Sequence, residues 1–376
     1  MSTAPEIIDV LVVDDSAVVR QLMSGLLREG QGFRVVTASD PLVAMAKMRR
    51  QRPHVIVLDL EMPRMDGLTF LRQIMAADPI PVVVCSGFAD PGTRVAVRAL
   101  AAGAVDIVPK PRISPSGQAD DNGLADVVRA AAQARLGLPR SSSPSIPTLT
   151  PLSAPKTSYE RRPSRINLVV PGARPPSDVV VFIGASTGGT EALREILCAM
   201  PYDAPAIVIV QHMPAGFTAA FAEHLNGMAK IEVREAVAGD RVAPGRALVA
   251  RGNRHLLLLR RGSELIVDLN DEPPVSRHRP SVDVLFRSAA QVVGARAVGV
   301  ILTGMGADGA DGMLAMNRAG AATNAQDEST SVVWGMPKEA IDRGAVDVVL
   351  PLSRIAAGIL QRATAITAPA ASEAAR

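Results

Sequence analysis

The sequence has few of the residues that mark secreted, nucleic-acid-binding or membrane proteins. Its two cysteines, Cys85 and Cys198, cannot form a disulfide framework, and both stand in apolar surroundings typical of small buried core residues. Aromatic residues make up only 3%, which leaves little for stacking on single-stranded nucleic acid. No apolar run reaches the roughly 18 residues that cross a bilayer. No signal-peptide pattern precedes Asp14. These absences predict a cytoplasmic protein that does not insert into the membrane.

The basic character of the chain is confined to one segment. The formal net charge is +3, but residues 139–177 hold six basic residues and one acid. This segment therefore carries +5, and the rest of the chain carries −2. A basic excess in one segment, together with so few aromatic residues, argues against a nucleic-acid partner.

The same segment, 139–177, contains nine prolines and eight serines. Proline at this density blocks helices and central strands, so we expect a semi-extended linker. The linker divides the chain into an N-terminal domain, 1–138, and a C-terminal domain, 178–365. Residues 366–376 are rich in alanine and small polar residues, and we expect them to form a disordered tail.

Both domains alternate short apolar runs with segments of helical periodicity. Runs such as Val10–Val13 and Val55–Leu58 are continuous, which is typical of parallel strands buried on both faces. The pattern predicts an α/β protein with an N-terminal flavodoxin-like (βα)5 domain and a C-terminal doubly wound parallel sheet. Within the C-terminal domain, residues 231–272 predict a β-rich insertion because short apolar runs alternate there with glycine turns.

Acidic residues follow the strands of the N-terminal domain. Asp14, Asp15 and Asp59 come just after predicted strands, whose carboxyl ends converge on one crevice in a parallel sheet. Three close carboxylates suit Mg²⁺. Ser86 and Lys110 reach the same edge, where a hydroxyl and an ammonium can bind phosphoryl oxygens. The set predicts phosphoryl transfer onto Asp59, although Asp14 and Asp15 taken singly are also typical helix-capping acids.

The segments VLVVDDSAVVR, VIVLDLEMPRMDG, VVVCSG and AVDIVPKP resemble the receiver domains of two-component response regulators. The resemblance covers about residues 7–136. It implies that Asp14, Asp15 and Asp59 bind Mg²⁺ together with a backbone carbonyl near Glu61.

The receiver resemblance also implies that Asp59 is phosphorylated and that Ser86 and Lys110 sense the phosphoryl group. Receivers often carry Tyr or Phe three positions before the lysine, but this chain has Ile107 there. The resemblance therefore does not extend to a switch based on a rotating aromatic ring.

A serine motif opens the C-terminal domain. Gly184 to Gly188 match G-x-S-x-G between a predicted strand and a helix, a turn that exposes Ser186 at the sheet edge. His212 follows the next strand and Asp308 follows a third, so a base and an orienting acid can lie beside the serine. The order Ser, His, Asp differs from those of chymotrypsin, subtilisin and the α/β-hydrolases.

Each part of this motif has a simpler interpretation. GASTGG is also typical of a phosphate-binding turn, and GMGADG at 304–309 matches the dinucleotide-binding pattern G-x-G-x-x-G. Asp308 also suits a helix cap. His255 and His278 remain alternative bases, whereas His224 lies inside a predicted helix. The segment RHRPSVD around His278 predicts contact with substrate or an acidic surface.

FIGASTGGTEAL, VIVQHMPAGFT, RHRPSVDVLF and ILTGMGADGADGM resemble the catalytic domain of the chemotaxis protein-glutamate methylesterases, the CheB family. The resemblance implies Ser186 as nucleophile, His212 as general base and acid, and Asp308 as the orienting acid. The backbone N–H of Met305 and a donor near Thr187 are oxyanion candidates.

The CheB resemblance also implies the substrates, the partners and the regulation. The substrates would be glutamate methyl esters and glutamines of methyl-accepting chemoreceptors, with release of methanol and ammonia and no cofactor for ester hydrolysis. A chemotaxis histidine kinase would be the phosphodonor, and the receiver of a monomeric protein would limit access to Ser186. Two alternatives remain: a non-catalytic response regulator that binds a dinucleotide or a partner, and an enzyme that acts mainly as a glutaminase.

Overall fold

The computed structural model describes residues 7–62, 66–87, 90–113, 119–120, 123–135 and 179–367. The predicted linker, 139–177, and residues 368–376 of the predicted tail lie outside the described residues.

The N-terminal sheet has five parallel strands in the order β2-β1-β3-β4-β5, as predicted for a flavodoxin-like fold. The strands are β1 (Ile8–Val13), β2 (Phe33–Ala38), β3 (Val55–Asp59), β4 (Val82–Ser86) and β5 (Asp106–Pro109), and a short antiparallel ribbon follows, β6 (Arg112–Ile113) and β7 (Ala119–Asp120). The helices are α1 (Ala17–Leu26), α2 (Pro41–Arg50), α3 (Gly67–Ala77), α4 (Asp90–Ala101) and α5 (Leu124–Ala132). Every residue of β3 and β4 is buried, which explains their continuous apolar sequence.

The C-terminal sheet has seven parallel strands in the order β10-β11-β9-β8-β14-β15-β16, so the doubly wound prediction is confirmed. The strands are β8 (Val180–Ala185), β9 (Ala206–Gln211), β10 (Glu232–Glu235), β11 (Arg246–Val249), β14 (Ala297–Ile301), β15 (Ala322–Gln326) and β16 (Val348–Leu350). A separate hairpin comprises β12 (His255–Arg261) and β13 (Glu264–Asn270). The helices are α6 (Gly189–Ala199), α7 (Phe217–Asn226), α8 (Val282–Val292), α9 (Ala310–Arg318), α10 (Met336–Asp342) and α11 (Leu352–Thr367).

The predicted β-rich insertion, 231–272, is only partly right. β10 and β11 belong to the main sheet, where Ala247 of β11 pairs in parallel with Ile207 of β9. Only the β12–β13 hairpin stands apart. The prediction did not include β15, because its sequence ATNAQ lacks an apolar run. Its polar side chains are nevertheless buried, and Gln326 accepts a hydrogen bond from the backbone of Thr303 at 2.9 Å.

Two smaller predictions also need correction. Helix α11 extends to Thr367, two residues into the predicted tail, because Ile355, Ile359 and Ala363 bury one helical stripe against the core. Cys85 is buried as predicted, but Cys198 is only partly buried.

Each sheet has a topological switch point at its carboxyl edge. In the N-terminal sheet it lies between β1 and β3, and in the C-terminal sheet between β8 and β14. Crevices at such points hold the functional sites of open α/β sheets. Asp14 and Asp59 stand at the first crevice, and Ser186 and Asp308 stand at the second.

The two domains are docked through helices. α4 of the N-terminal domain packs against α7 of the C-terminal domain, and the cavity between them is lined partly by Val97, Leu100, Phe221 and Leu225. At the rim, Arg94 of α4 forms an exposed ion pair with Glu223 of α7 at 3.2 Å. Apolar contact therefore contributes most to the docking, because exposed ion pairs add little.

Candidate active site and phosphoacceptor site

Ser186 lies in the turn between β8 and α6. Gly188, at the N-cap of α6, has φ of +78°, and a Cβ there would come within 2.5 Å of Val332, so this turn requires glycine. The backbone N–H of Ser186 donates to the carbonyl of Thr303 at 3.0 Å. The side chain is thus held at the sheet edge beside the positive end of a helix, and only 8% of the residue surface is exposed.

His212 follows β9 and contacts Asp308 through its ring and the serine turn through its backbone. Its backbone N–H donates to the carbonyl of Ala185, the residue before Ser186, at 3.0 Å. Nε2 of the ring lies 2.8 Å from Oδ2 of Asp308. An ionised carboxylate accepts the proton of Nε2, which leaves Nδ1 as an acceptor. Nδ1 is buried and has no hydrogen-bond partner among the described residues, so the serine–histidine hydrogen bond is not formed in this arrangement.

Asp308 is the most heavily hydrogen-bonded side chain of the site. Besides His212, its carboxylate accepts hydrogen bonds from the Ser281 hydroxyl at 2.7 Å and from the backbone N–H groups of Val282 and Asp283 at 2.8 and 3.1 Å. Burial alone would raise the pKa of Asp308. The hydrogen bonds from His212, Ser281 and Val282 outweigh burial and lower the pKa below its usual value. The carboxylate therefore stays ionised and orients His212.

The loop that carries Met305 packs against Ser186. A Cβ on Gly304 would lie 2.7 Å from the Cβ of Ser186, so only glycine permits this approach. The backbone of Gly304 is held by Val333 and Met336, with hydrogen bonds of 2.9 and 2.8 Å. The dinucleotide interpretation of this loop loses support, because Gly304 packs against Ser186 and Asp308 binds His212.

The other predicted base candidates have different surroundings. His255 is fully buried, accepts a hydrogen bond from the backbone of Ser281 at 3.2 Å, and lies 3.1 Å from the carbonyl of Pro273, so its role is structural. His224 lies on α7, lining the cavity against α4. His278 stacks on His212, with the ring centroids 3.8 Å apart.

The N-terminal domain contacts the serine turn directly. The Thr187 hydroxyl, next to the nucleophile, donates to Oδ2 of Asp106 at 2.8 Å. The backbone N–H of Gly188 donates to the carbonyl of Val105 at 3.3 Å. Burial raises the pKa of Asp106 to about 6. Sequence reasoning missed Asp106, because no local pattern indicates that β5 meets the serine turn of another domain.

The predicted phosphoacceptor residues also lie together. Nζ of Lys110 is 2.7 Å from Oδ2 of Asp59 and 3.2 Å from Oδ2 of Asp14. Asp59 and Ser86 are buried at the ends of the adjacent strands β3 and β4. Burial raises the pKa of Asp59, although its hydrogen bond with Lys110 opposes the shift. Ile107 is buried in β5.

The acidic cluster fits a divalent cation. One ligand atom from each of Asp14, Asp15 and Asp59 lies within 4.8 Å of the others. Oδ2 of Asp14 is buried and has no hydrogen-bond partner among the described residues, apart from its ion pair with Lys110. A buried carboxylate oxygen without a hydrogen-bond donor can bind a cation, and a site whose ligands are all oxygen atoms suits Mg²⁺.

Comparison with known proteins identifies both domains. The family model described as CheB methylesterase matches residues 181–359, and the response regulator receiver domain model matches residues 10–116. Protein-glutamate methylesterase/protein-glutamine glutaminase 1 of Anaeromyxobacter dehalogenans (strain 2CP-C) is 58% identical over 355 residues, which cover 93% of this chain and 98% of that protein. The chain belongs to the CheB methylesterase family.

Further relatives extend this comparison with the CheB family. Protein-glutamate methylesterase/protein-glutamine glutaminase 2 of Xanthomonas campestris pv. campestris is 53% identical, over 93% of this chain and 99% of that protein. The crystal structure of the Thermotoga maritima CheB methylesterase catalytic domain is 38% identical and covers 49% of this chain and 98% of that chain, with a TM-score of 0.48. Among the described residues of this CheB-family protein, no helix has the length and apolar character to span a membrane.

Proposed function

We propose that the protein is a phosphorylation-activated serine esterase that hydrolyses glutamate methyl esters on chemoreceptors and deamidates receptor glutamines, for adaptation in chemotaxis. The observation that carries the catalytic assignment is the 2.8 Å hydrogen bond between His212 and an ionised Asp308 beside Ser186. A nucleophile, a base and an orienting acid at one strand edge are sufficient for acyl transfer.

In the first half of the reaction, Oγ of Ser186 attacks the ester carbonyl and its proton passes to Nδ1 of His212. Asp308 stabilises the imidazolium that forms, as its hydrogen-bonded carboxylate remains ionised. The backbone N–H of Met305 and a donor near Thr187 are the proposed partners of the oxyanion. When the tetrahedral intermediate collapses, the bond to the methoxy group breaks and His212 returns the proton, so methanol leaves.

In the second half, water attacks the acyl group on Ser186 and gives a proton to His212. Collapse releases the glutamate side chain and restores the serine hydroxyl with that proton. With glutamine as substrate, the same steps release ammonia instead of methanol. The balance between the two activities depends on how each leaving group is protonated by His212.

The N-terminal domain is the proposed phosphoacceptor. Asp59 attacks the phosphodonor, and Lys110 is placed to neutralise the phosphoryl oxygens after leaving its ion pair with Asp59. Ser86, at the end of the neighbouring strand, is the proposed donor to the same group. Mg²⁺ held by Asp14, Asp15 and Asp59 would supply electrophilic stabilisation of the transferred phosphoryl group.

We propose that the docked receiver limits access to Ser186 until Asp59 is phosphorylated. The contacts of Asp106 and Val105 with Thr187 and Gly188 support this arrangement, because the substrate must approach the same turn. The proposed partners are chemoreceptors and a histidine kinase of the array, and the proposed form is a cytoplasmic monomer.

Substitution of the nucleophile and base tests this function. Ser186→Ala or His212→Ala in the phosphorylated protein should lower methanol release from methylated receptor by about 10⁴-fold, because nucleophile and base act as one unit. Asp308→Asn should lower methanol release by a smaller factor. Phosphorylation of Asp59 by acetyl phosphate should be unchanged in all three variants, which controls for the receiver, and thermal unfolding checks that the catalytic domain is folded. Near-normal activity of a folded Ser186→Ala protein would overturn the proposal.

A further inference from the structure

His278 has a contact that the proposed reaction does not use. Its imidazole lies parallel to that of His212, with an interplanar angle of 9° and a centroid distance of 3.8 Å. His278 comes from the loop before α8, whereas His212 follows β9, so only the tertiary structure brings the rings together. Flat stacking at this distance is close van der Waals contact over the whole ring.

The imidazole of His212 needs a stacked neighbour because few other contacts hold it in place. The hydrogen bond from Nε2 to Asp308 fixes one edge of the ring, and Nδ1 has no partner. A ring held by one hydrogen bond can tilt about that bond, and tilting moves Nδ1 out of line with the Ser186 hydroxyl. A flat side chain packed on one face of His212 opposes this tilt.

The loop that carries His278 is braced against movement. His278 and Val275 exchange two backbone hydrogen bonds of 2.9 and 3.1 Å around a tight turn, in which Ser276 and Arg277 have positive φ. On the other side of His278, the Arg279 guanidinium donates to Oδ1 of Asn253. It also donates to two backbone carbonyls, those of residues 271 and 272.

The charge state of His278 suits a position beside a base that becomes cationic. Burial lowers the pKa of His278 to about 3, and the charges of His212 and Arg277 act in the same direction while Asp308 opposes them. Asp106, from β5 of the N-terminal domain, also interacts electrostatically with His212. A neutral imidazole presents its π face to the imidazolium of His212, which attracts rather than repels it.

We propose that His278 is a positioning residue whose stacked ring holds the imidazole of His212 in the plane from which Nδ1 takes the proton of Ser186. The inference rests on the proposed function. It predicts that a flat apolar ring can replace His278, whereas a side chain without a ring cannot.

The test is the rate at which a fluorophosphonate probe labels Ser186 in the phosphorylated full-length protein. His278→Phe should label within about 3-fold of the unsubstituted protein, whereas His278→Ala and His278→Leu should label at least about 10-fold more slowly, because small misplacements of a base are costly. Ser186→Ala is the unlabelled control, and thermal unfolding checks that each variant is folded at the assay temperature.

Two further measurements separate positioning from a purely structural role. Methanol release by His278→Ala should show a lower kcat with KM within about 2-fold. The pH profile of labelling should have the same shape in the unsubstituted protein and in His278→Phe, because His278 is uncharged across the assay range and takes no proton in the reaction.

Several outcomes would overturn the inference. These are labelling of His278→Ala at the normal rate, a loss of labelling rate in His278→Phe as large as in His278→Ala, a raised KM at constant kcat in His278→Ala, or a pH profile of labelling that His278→Phe alters. Absence of Ser186 labelling in the unsubstituted protein would instead refute the proposed function itself.

Discussion

At the residue scale, the site depends on a chain of polar contacts that leads away from the nucleophile. His255 accepts a hydrogen bond from the backbone of Ser281, and the Ser281 hydroxyl donates to Asp308, which accepts from His212. Buried polar groups that are all paired form a rigid network. This network fixes Asp308 and, through it, the Nε2 edge of the His212 ring.

Asp15 offers a clean residue-scale test of the metal site, because it is exposed whereas Asp14 and Asp59 are buried. Asp15→Asn should raise the Mg²⁺ concentration that half-saturates phosphorylation of Asp59 by acetyl phosphate by about 10-fold or more, since it removes one charged oxygen ligand. Labelling of Ser186 in the unphosphorylated variant should be unchanged. An unaltered Mg²⁺ requirement would contradict the assignment of Asp15 as a ligand.

At the scale of elements, β5 links the two sites. Lys110 directly follows this strand and pairs with Asp59, whereas Asp106 begins it and accepts a hydrogen bond from Thr187. Phosphorylation adds roughly two negative charges beside Lys110. A displacement of Lys110 can thus move Asp106 and the serine turn, because one short strand connects them. This route does not need the aromatic residue that other receivers carry at the position of Ile107.

The pKa of Asp106 makes this docking depend on pH. Burial raises the pKa of the carboxyl group from 3.8 to about 6, although the hydrogen bond from Thr187 opposes the shift. The share of this burial that contact with the serine turn supplies makes the docked form favour the protonated acid. Docking is then strongest below about pH 4, weakens as the pH rises through about 6, and stays weaker above it.

Asp106→Asn should dock more tightly at pH 7.5, because the amide is uncharged and its oxygen still accepts from Thr187. We expect the fluorophosphonate probe to label Ser186 about 10-fold more slowly in the unphosphorylated variant than in the unsubstituted protein. This factor is smaller than the whole pKa shift of Asp106 would give, because solvent partly screens the carboxyl group. Asp126→Asn is the matched control, since Asp126 makes only an exposed 3.5 Å contact with Arg277 across the same interface. Faster labelling of Asp106→Asn would contradict the role of the buried carboxyl group.

At the scale of the whole molecule, the carboxyl edge of the C-terminal sheet meets the amino end of β5, whereas the phosphoacceptor residues lie at the other end of that strand. The contacts between the two domains include the apolar α4–α7 packing, the serine turn and the ion pair of 2.7 Å between Arg135 and Glu328. Because the exposed ion pairs add little, a modest bias can open the interface. Each tenfold change in activity needs only about 1.4 kcal/mol between closed and open forms.

Removal of the receiver tests this arrangement directly. A fragment that begins at about residue 177 should release methanol at least about 10-fold faster than the unphosphorylated full-length protein, because nothing covers the serine turn. In the full-length protein, Asp59→Asn should keep the low basal rate, and acetyl phosphate should not raise it. If the fragment were no faster than the unphosphorylated protein, the receiver would have to act by recruitment or positioning.

Much of the architecture followed from the sequence alone, for a physical reason. Buried parallel strands need continuous apolar runs, and polar residues at their ends converge on one edge. The sequence therefore predicted both sheets and grouped Asp14, Asp59 and Lys110 at one edge, and Ser186, His212 and Asp308 at another. β10 and β15 escaped prediction because neither has an apolar run: β10 is EVRE with only Val233 buried, and β15 buries polar side chains.

Only the tertiary structure decided the contacts between residues far apart in the chain. The stack of His278 on His212 and the hydrogen bond from Thr187 to Asp106 join loops separated by more than 60 residues. Local periodicity carries no information about such pairs, because they depend on how two finished sheets and their loops pack. The sequence thus determined which chemical groups are present at each edge, and packing determined which of them touch.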